Sequence, residues 1–219
     1  MPSAEFIPDV KSVITSVEKQ KKDADRYNVF INNEFAFGIY SDSLVKFGLR
    51  KGDILDETLI EKIKSYDEIN FGKKVSIKYL AYKPRSTSSV IKKLRTFQLS
   101  QNSIDEVINW LKSLNYLNDE VFVKQLIESK IQGKPIGKRL LKYKISETGI
   151  EKSLIDENVE NLYTEDVEFV NAKKLLKKYI PKIKKGDDFE KKKKCFQYLI
   201  SRGFNLTLAN TVLKEFFEK

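Results

Sequence analysis

Two hydrophobic periods divide the chain. Between Val13 and Asp53 apolar residues tend to alternate: Tyr27, Val29 and Ile31 on one side of Asn32-Asn33, and Phe35, Phe37 and Ile39 on the other. Period two is the signature of a strand with one buried face, and asparagine tolerates the positive φ of a type I′ turn, so the pattern predicts a β-hairpin. Val13, Thr15 and Val17 supply a third strand. Ser43 to Phe47 reads as a short helix stopped by Gly48, Gly52-Asp53 as a turn, and Asp56 as the cap of a helix running from Glu57 to about Ser65. Residues 1–70 are therefore expected to form a small β-rich N-terminal domain with short helices.

From about Phe71 onward the period is helical. Ser86 precedes a stripe of Val90, Ile91, Leu94 and Phe97. Ser103 and Glu106 have capping-box spacing ahead of Ile104, Val107, Ile108 and Leu111. Asn118 or Asp119 caps a helix with Phe122, Val123, Leu126 and Ile127 inside, and Gly203 stands where a helix C-terminus requires a left-handed residue. The pattern also repeats. Leu94, Leu99, Ile104 and Ile108 share the offsets 0, 5, 10 and 14 with Leu140, Ile145, Ile150 and Leu154, 46 residues on. Leu199, Phe204, Ala209 and Leu213 repeat them after a further 59, the extra length falling around Pro181 to Asp188. The expected body is mainly α: three tandem three-helix units with helix-turn-helix-like spacing at 71–118, 119–164 and 165–219. Units of this kind bury their apolar faces against neighbours, which predicts an elongated, curved array.

Composition narrows the class. The 219 residues are 41% hydrophobic and 33% charged, with nine glycines and five prolines, as in a soluble folded protein. Met1 to Val10 lacks the basic flank and apolar run of a signal peptide, and no stretch approaches the ~20 apolar residues of a membrane helix. The expectation is a cytoplasmic protein with no membrane partner. Cys195 is alone, so no intramolecular disulfide forms; beside Phe196 and Leu199 it reads as a small core residue. The absence of histidine removes the usual zinc sites and every histidine-based triad. No cofactor is implied.

The charge is +10, and its distribution says more than its total. Asn171 to Lys194 holds eleven lysines (173, 174, 177, 178, 182, 184, 185, 191, 192, 193 and 194) against Asp187, Asp188 and Glu190, a net of +8. Lys173, Lys174, Lys177 and Lys178 lie three and four apart, a helical face able to follow a phosphate backbone. Lys134, Lys138, Arg139 and Lys142 give the second unit a similar side. Tyr143, Tyr179 and Phe189 stand near this charge as core or boundary residues, with base stacking as the other reading. No base-reading arrangement appears, so binding is expected to be weakly sequence-selective. The acidic pairs Asp105-Glu106 and Asp119-Glu120 point apart on a helix and sit where caps are expected, and Gly133-Lys134-Pro135-Ile136-Gly137 lacks P-loop spacing. The chain reads as a protein that is not an enzyme.

Several motifs resemble the RecX family of recombinase regulators. They are Lys83-Pro84-Arg85-Ser86, Asn115-Tyr116-Leu117-Asn118-Asp119-Glu120-Val121-Phe122-Val123, Gly133-Lys134-Pro135-Ile136 and Leu199-Ile200-Ser201-Arg202-Gly203-Phe204. Arg26 to Ile31, Phe35 to Gly38 and Leu44 to Asp53 are similar to the N-terminal extension of longer members, so the resemblance covers nearly the whole chain. The chain departs from the family pattern at Asn115, where glycine is frequent, at Ser89, where glutamate is, and at Ser201, where a double arginine is. The resemblance implies a monomer that binds in the groove of a RecA filament on single-stranded DNA, with double-stranded DNA as a further ligand. It would restrain filament extension, ATP hydrolysis, strand exchange and coprotease activity within DNA repair, homologous recombination and the SOS response. The implied DNA- or filament-binding set is Arg85, Lys134, Lys138, Arg139, Lys142, Lys173, Lys174, Lys177, Lys178 and Arg202. The alternative is a stand-alone, single-stranded nucleic-acid-binding helical-repeat protein.

Overall fold

The computed structural model describes residues 12–184 and 186–217. Met1 to Val10 and Lys185, both used above, lie outside the described residues. By contacts the described chain separates into two compact units. One comprises the residues up to Tyr79 with Lys93–Leu111; the other comprises Leu80–Lys92 with the residues from Lys112 onward.

The first unit begins with the expected strands. β1 (Ser12–Lys19), β2 (Arg26–Ile31), β3 (Glu34–Tyr40) and the short β4 (Ile54–Leu55) form an antiparallel sheet in the order β3-β2-β1-β4. Asn32 and Asn33 turn the β2–β3 hairpin with φ of 52° and 68°, the left-handed pair that a type I′ turn needs. The period-two face buries Ile14, Val29, Phe37 and Ile39 against Leu49, Leu55 and Ile63. Helix α1 (Ser41–Phe47) ends at Gly48, left-handed at φ 62°.

Helix α2 (Glu57–Tyr82) is capped by Asp56, whose carboxylate accepts from the Leu59 N–H at 2.6 Å, as expected. It does not stop near Ser65. It continues for 26 residues, so the expected boundary at 70/71 falls inside a helix. Gly72 is not a breaker: a Cβ there would come within 2.9 Å of Leu99 and Val107 side chains, so the glycine lets helices meet closely. Two acids on α2 hold its neighbours. Buried Asp67 accepts from the Tyr40 N–H at 2.8 Å and the Ser43 hydroxyl at 2.6 Å. Glu68 accepts from the Ser100 N–H and from the Ser100 and Ser103 hydroxyls, at 2.6, 2.7 and 2.6 Å.

Helix α3 (Thr87–Arg95) buries Val90 and Leu94, but Phe97 lies past its end, 43% exposed, with its ring edge-on to Phe71 at 5.2 Å. Helix α4 (Gln101–Ser113) is capped by Ser100 rather than Ser103, because the Ser103 N–H reaches the Ser100 hydroxyl while Ser103 itself is buried against Glu68. The predicted capping box was therefore one turn late; two serines three residues apart, Ser100 and Ser103, made the start ambiguous.

The second unit continues with α5 (Asp119–Gln132), α6 (Lys138–Ser146), α7 (Lys152–Leu162), α8 (Glu165–Tyr179), a 3-10 turn (Ile180–Lys182), α9 (Asp188–Ser201) and α10 (Leu206–Phe217). Asn118 caps α5 through the Val121 N–H, and α8 begins at Glu165. Helices α5–α7 enclose one core, including Val123, Ile127, Leu141, Ile145, Ile155 and Val159. Helices α8–α10 enclose another around Leu176, Cys195, Leu199, Phe204, Ala209 and Leu213. The chain is mainly helical, with a small antiparallel sheet near its N-terminus followed in sequence by tandem three-helix groups.

The repeat register needs one correction. The buried set that matches Leu94, Leu99, Ile104 and Ile108 is Ile145, Ile150, Ile155 and Val159, not Leu140, Ile145, Ile150 and Leu154. Copies starting at 94, 145 and 199 are spaced by 51 and 54 residues, and in each the fifth residue is left-handed: Gln98 (φ 60°), Gly149 (76°) and Gly203 (87°). Apolar residues at 140, 145, 150 and 155 recur every five positions, so the offsets fit two frames equally. Burial and the left-handed turn together separate them.

Candidate nucleic-acid interface

Of the four α8 lysines, one is paired and three are open. Helix α8 turns Ala172, Leu175 and Leu176 inward. Lys173, next to that buried stripe, bridges to Glu215 of α10 and lies 5.3 Å from the Phe169 ring centroid. Lys174, Lys177 and Lys178 are exposed and make no ion pair among the described residues.

Half of the basic side expected on the second repeat is neutralised. Lys138 bridges to Glu160 at 2.7 Å, and Lys142 to Asp156 at 2.7 Å and Glu160 at 3.0 Å. The hydrogen bond to Asp156 raises the Lys142 ammonium above its ordinary value, while that from Lys138 lowers the Glu160 carboxyl. These acids lie on α7, which packs beside α6. Arg139 is exposed beside a separate hollow at Gly203–Thr207, and half-buried Arg85 precedes α3. Neither lines the cleft described next.

What the fold does bring together is a cleft of about 340 Å³ lined by Lys134, Lys178, Lys182 and Arg202, with Tyr179 and Tyr198. Local sequence pins each part. The loop after α5 is held from beneath, because Pro135 and Ile136 are buried and the Tyr163 hydroxyl donates to the Ile136 carbonyl at 2.8 Å. The Asn171 amide in turn donates to the Tyr163 oxygen at 3.2 Å, and burial pushes that phenol up to about 12. Gly137 then donates its N–H to the Arg202 carbonyl at 2.9 Å, setting the loop beside the end of α9. That approach demands glycine: a Cβ at Gly137 would stand 2.3 Å from the Gly203 backbone. Buried Glu168 of α8 caps α6 by accepting from the Lys138 N–H at 2.7 Å. Burial holds its carboxyl above the ordinary value, against the opposing pull of that N–H and of the Lys138 charge.

The tyrosine rings stack with centroids 4.0 Å apart and planes 11° from parallel, and the Arg202 guanidinium lies 6.0 Å from the Tyr198 centroid. Three predicted residues, Lys134, Lys178 and Arg202, thus meet in one cleft. Lys182 and Tyr198 were not among the predicted contacts. Lys182 had a signal in following Pro181, and Tyr198 in standing one helical turn before Arg202. Tyr143 and Phe189 are exposed and do not line the cleft, and Cys195 is a fully buried core residue whose thiol is pushed up by burial. Members of the acidic pairs have structural partners: Asp119 accepts from the Thr87 N–H at 2.8 Å, while Glu120 bridges to Lys124 at 2.5 Å and Asp105 accepts from Gln101 within their own helices. Among the described residues, no helix is long and apolar enough to cross a membrane.

Comparison with known proteins agrees with this architecture. The family model described as Regulatory protein RecX N-terminal domain matches residues 12–56, and that described as RecX, third three-helix domain, matches residues 166–213. Proteins named Regulatory protein RecX from Staphylococcus carnosus (strain TM300) and Staphylococcus aureus (strain JH9) are 32% and 34% identical over 205 and 202 residues. Each match covers 92% of this chain and 74% of the relative. A crystal structure of regulatory protein RecX superposes with a TM-score of 0.66 at 24% identity, over 92% of this chain and 98% of that one. That of RecX from Lactobacillus salivarius gives 0.63 at 25% identity, over 68% of this chain and 97% of that one. With sequence relatives, family models and fold in agreement, this chain belongs to the RecX family of regulatory proteins.

Proposed function

We propose that the chain regulates a RecA-type recombinase by binding in the groove of its filament on single-stranded DNA, restraining filament extension, ATP hydrolysis, strand exchange and coprotease activity. One observation carries the reading: in a chain whose relatives are named regulators, Lys134, Lys178, Lys182 and Arg202 converge on one cleft whose lining, among the described residues, holds no carboxylate. Such a surface suits a phosphate-bearing filament. The action is by binding, without catalysis or a cofactor: a ligand that favours some filament states over others shifts their populations by its difference in affinity. The chain acts as a cytoplasmic monomer.

The test is DNA-dependent ATP hydrolysis by the recombinase, with the chain titrated in. Suppression is expected at amounts well below the number of DNA-binding sites. Inhibition that appears only when free strand is saturated means competition for DNA, and the stand-alone single-strand binder then replaces the regulator.

A further inference from the structure

We propose that the cleft between loop 133–137 and the ends of α8 and α9 is a single-strand site: its four cations take neighbouring backbone phosphates, and the Tyr179–Tyr198 stack takes the face of a base. The proposal rests on the reading of the chain as a DNA-filament regulator and deepens it.

Four observations converge here. No acid lines the cleft among the described residues, whereas Lys138, Lys142 and Lys173 nearby are all bridged to carboxylates. Three of the cleft cations, Lys134, Lys178 and Lys182, are exposed and make no ion pair among the described residues. Arg202 is half-buried, and its Nε is buried with no hydrogen-bond partner among the described residues. A guanidinium partly stripped of water and lacking a counter-ion is an incomplete ion pair, which a phosphate oxygen completes. Finally, a tyrosine pair beside cations is the combination that binds single strands without reading sequence, since every base offers a π face.

The shape argues for a strand over a duplex. Duplex phosphates lie on a convex, rigid surface whose bases are reached by an inserted helix or ribbon. A concave cleft of about 340 Å³ instead admits a flexible strand with an unstacked base. The combination is also local to one place in the repeat: 54 residues earlier, the positions of Tyr198 and Arg202 are Lys144 and Thr148.

The experiment compares two charge-matched variants of the full chain, in the absence of recombinase, by fluorescence anisotropy with a short oligothymidylate. One replaces Lys134, Lys178 and Lys182 by alanine. The other replaces Lys144, Lys152 and Lys214, which are exposed and line no part of the cleft. The cleft variant should lose between about ten- and a hundredfold in affinity at 0.1 M salt, and its salt slope should shrink by about 2. The control variant should lose less than about threefold at that salt concentration. An abasic strand of equal length should bind wild type at least fivefold or so more weakly than oligothymidylate. Equal losses in the two variants, or equal binding of the abasic strand, overturn the site in favour of a diffuse basic surface. A duplex that loses as much as the single strand in the cleft variant overturns the single-strand assignment. These outcomes are separable from filament regulation: a wild-type chain that binds the strand through the cleft yet leaves recombinase ATP hydrolysis untouched keeps this site and rejects the regulator.

Discussion

Two junctions in the second unit are built to one plan and finished differently. In each, the first residues of a middle helix meet the left-handed turn of the following repeat and receive a carboxylate from that repeat's first helix. At the first, the Ser86 hydroxyl donates to the Thr148 carbonyl at 2.6 Å and the Thr87 N–H is taken by Asp119. At the second, 51 residues on, the Gly137 backbone N–H donates to the Arg202 carbonyl and the Lys138 N–H is taken by Glu168. A side chain spans the gap in the first; bare backbone closes it in the second. The carboxylates differ in the same sense, Asp119 half-buried and Glu168 only 2% exposed. The lesson is that the repeat conserves a contact topology rather than a set of residues. Tighter closure at the second junction is what places Arg202 beside Lys134 and forms the cleft.

The steepest way to break the pair apart is Gly137→Ala. The φ at Gly137 is −68°, so alanine costs nothing in backbone strain; the penalty is collision with the Gly203 backbone, which has no flexible end to give way. Urea unfolding should show a loss of about 3 kcal/mol or more. Ser86→Ala at the matching position should cost about 1 kcal/mol, and equal losses at both sites would erase the distinction. Glu168→Ala comes next, at about 2 kcal/mol, because it strips a buried cap and leaves a hole, against about 1 kcal/mol for Asp119→Ala.

The smallest effect is in pH. A carboxyl whose folded pKa lies above its unfolded one binds more protons in the native state, so its contribution falls as pH rises. For Glu168 the fall begins near the ordinary glutamate value of 4.5 and ends at the raised one; burial is the cause, with the Glu160 and Glu165 charges adding and Lys138 opposing. Relative to Glu168→Gln, wild type should therefore lose stability as pH rises above the ordinary glutamate value of 4.5, read from urea midpoints. A difference independent of pH would place the Glu168 carboxyl at its unfolded value.

Features set by neighbours in the chain were legible without coordinates. Asn32-Asn33 between two alternating runs marked the hairpin, Gly48 and Gly203 marked helix ends, and Asp56 and Asn118 marked starts, because the deciding interactions span a few residues. Asn115, where the family favours glycine, adopts φ 56°, a conformation asparagine tolerates. The lysine-rich segment and the tandem three-helix plan were legible for the same reason, being matters of count and period. What tertiary structure alone decided was which of those charges is available. Lys138 and Glu160 are 22 residues apart, and Lys173 and Glu215 are 42 apart, so their pairing depends on which helix faces meet. The repeat frame was undecidable from apolar spacing, since residues five apart satisfy two registers; burial and the left-handed turn at Gly149 select one. The cleft is the sum of such choices: a loop pinned by Tyr163, a glycine contact at 137, and two tyrosines brought from α8 and α9 into a stack. Local chemistry names the elements, and packing decides what they present.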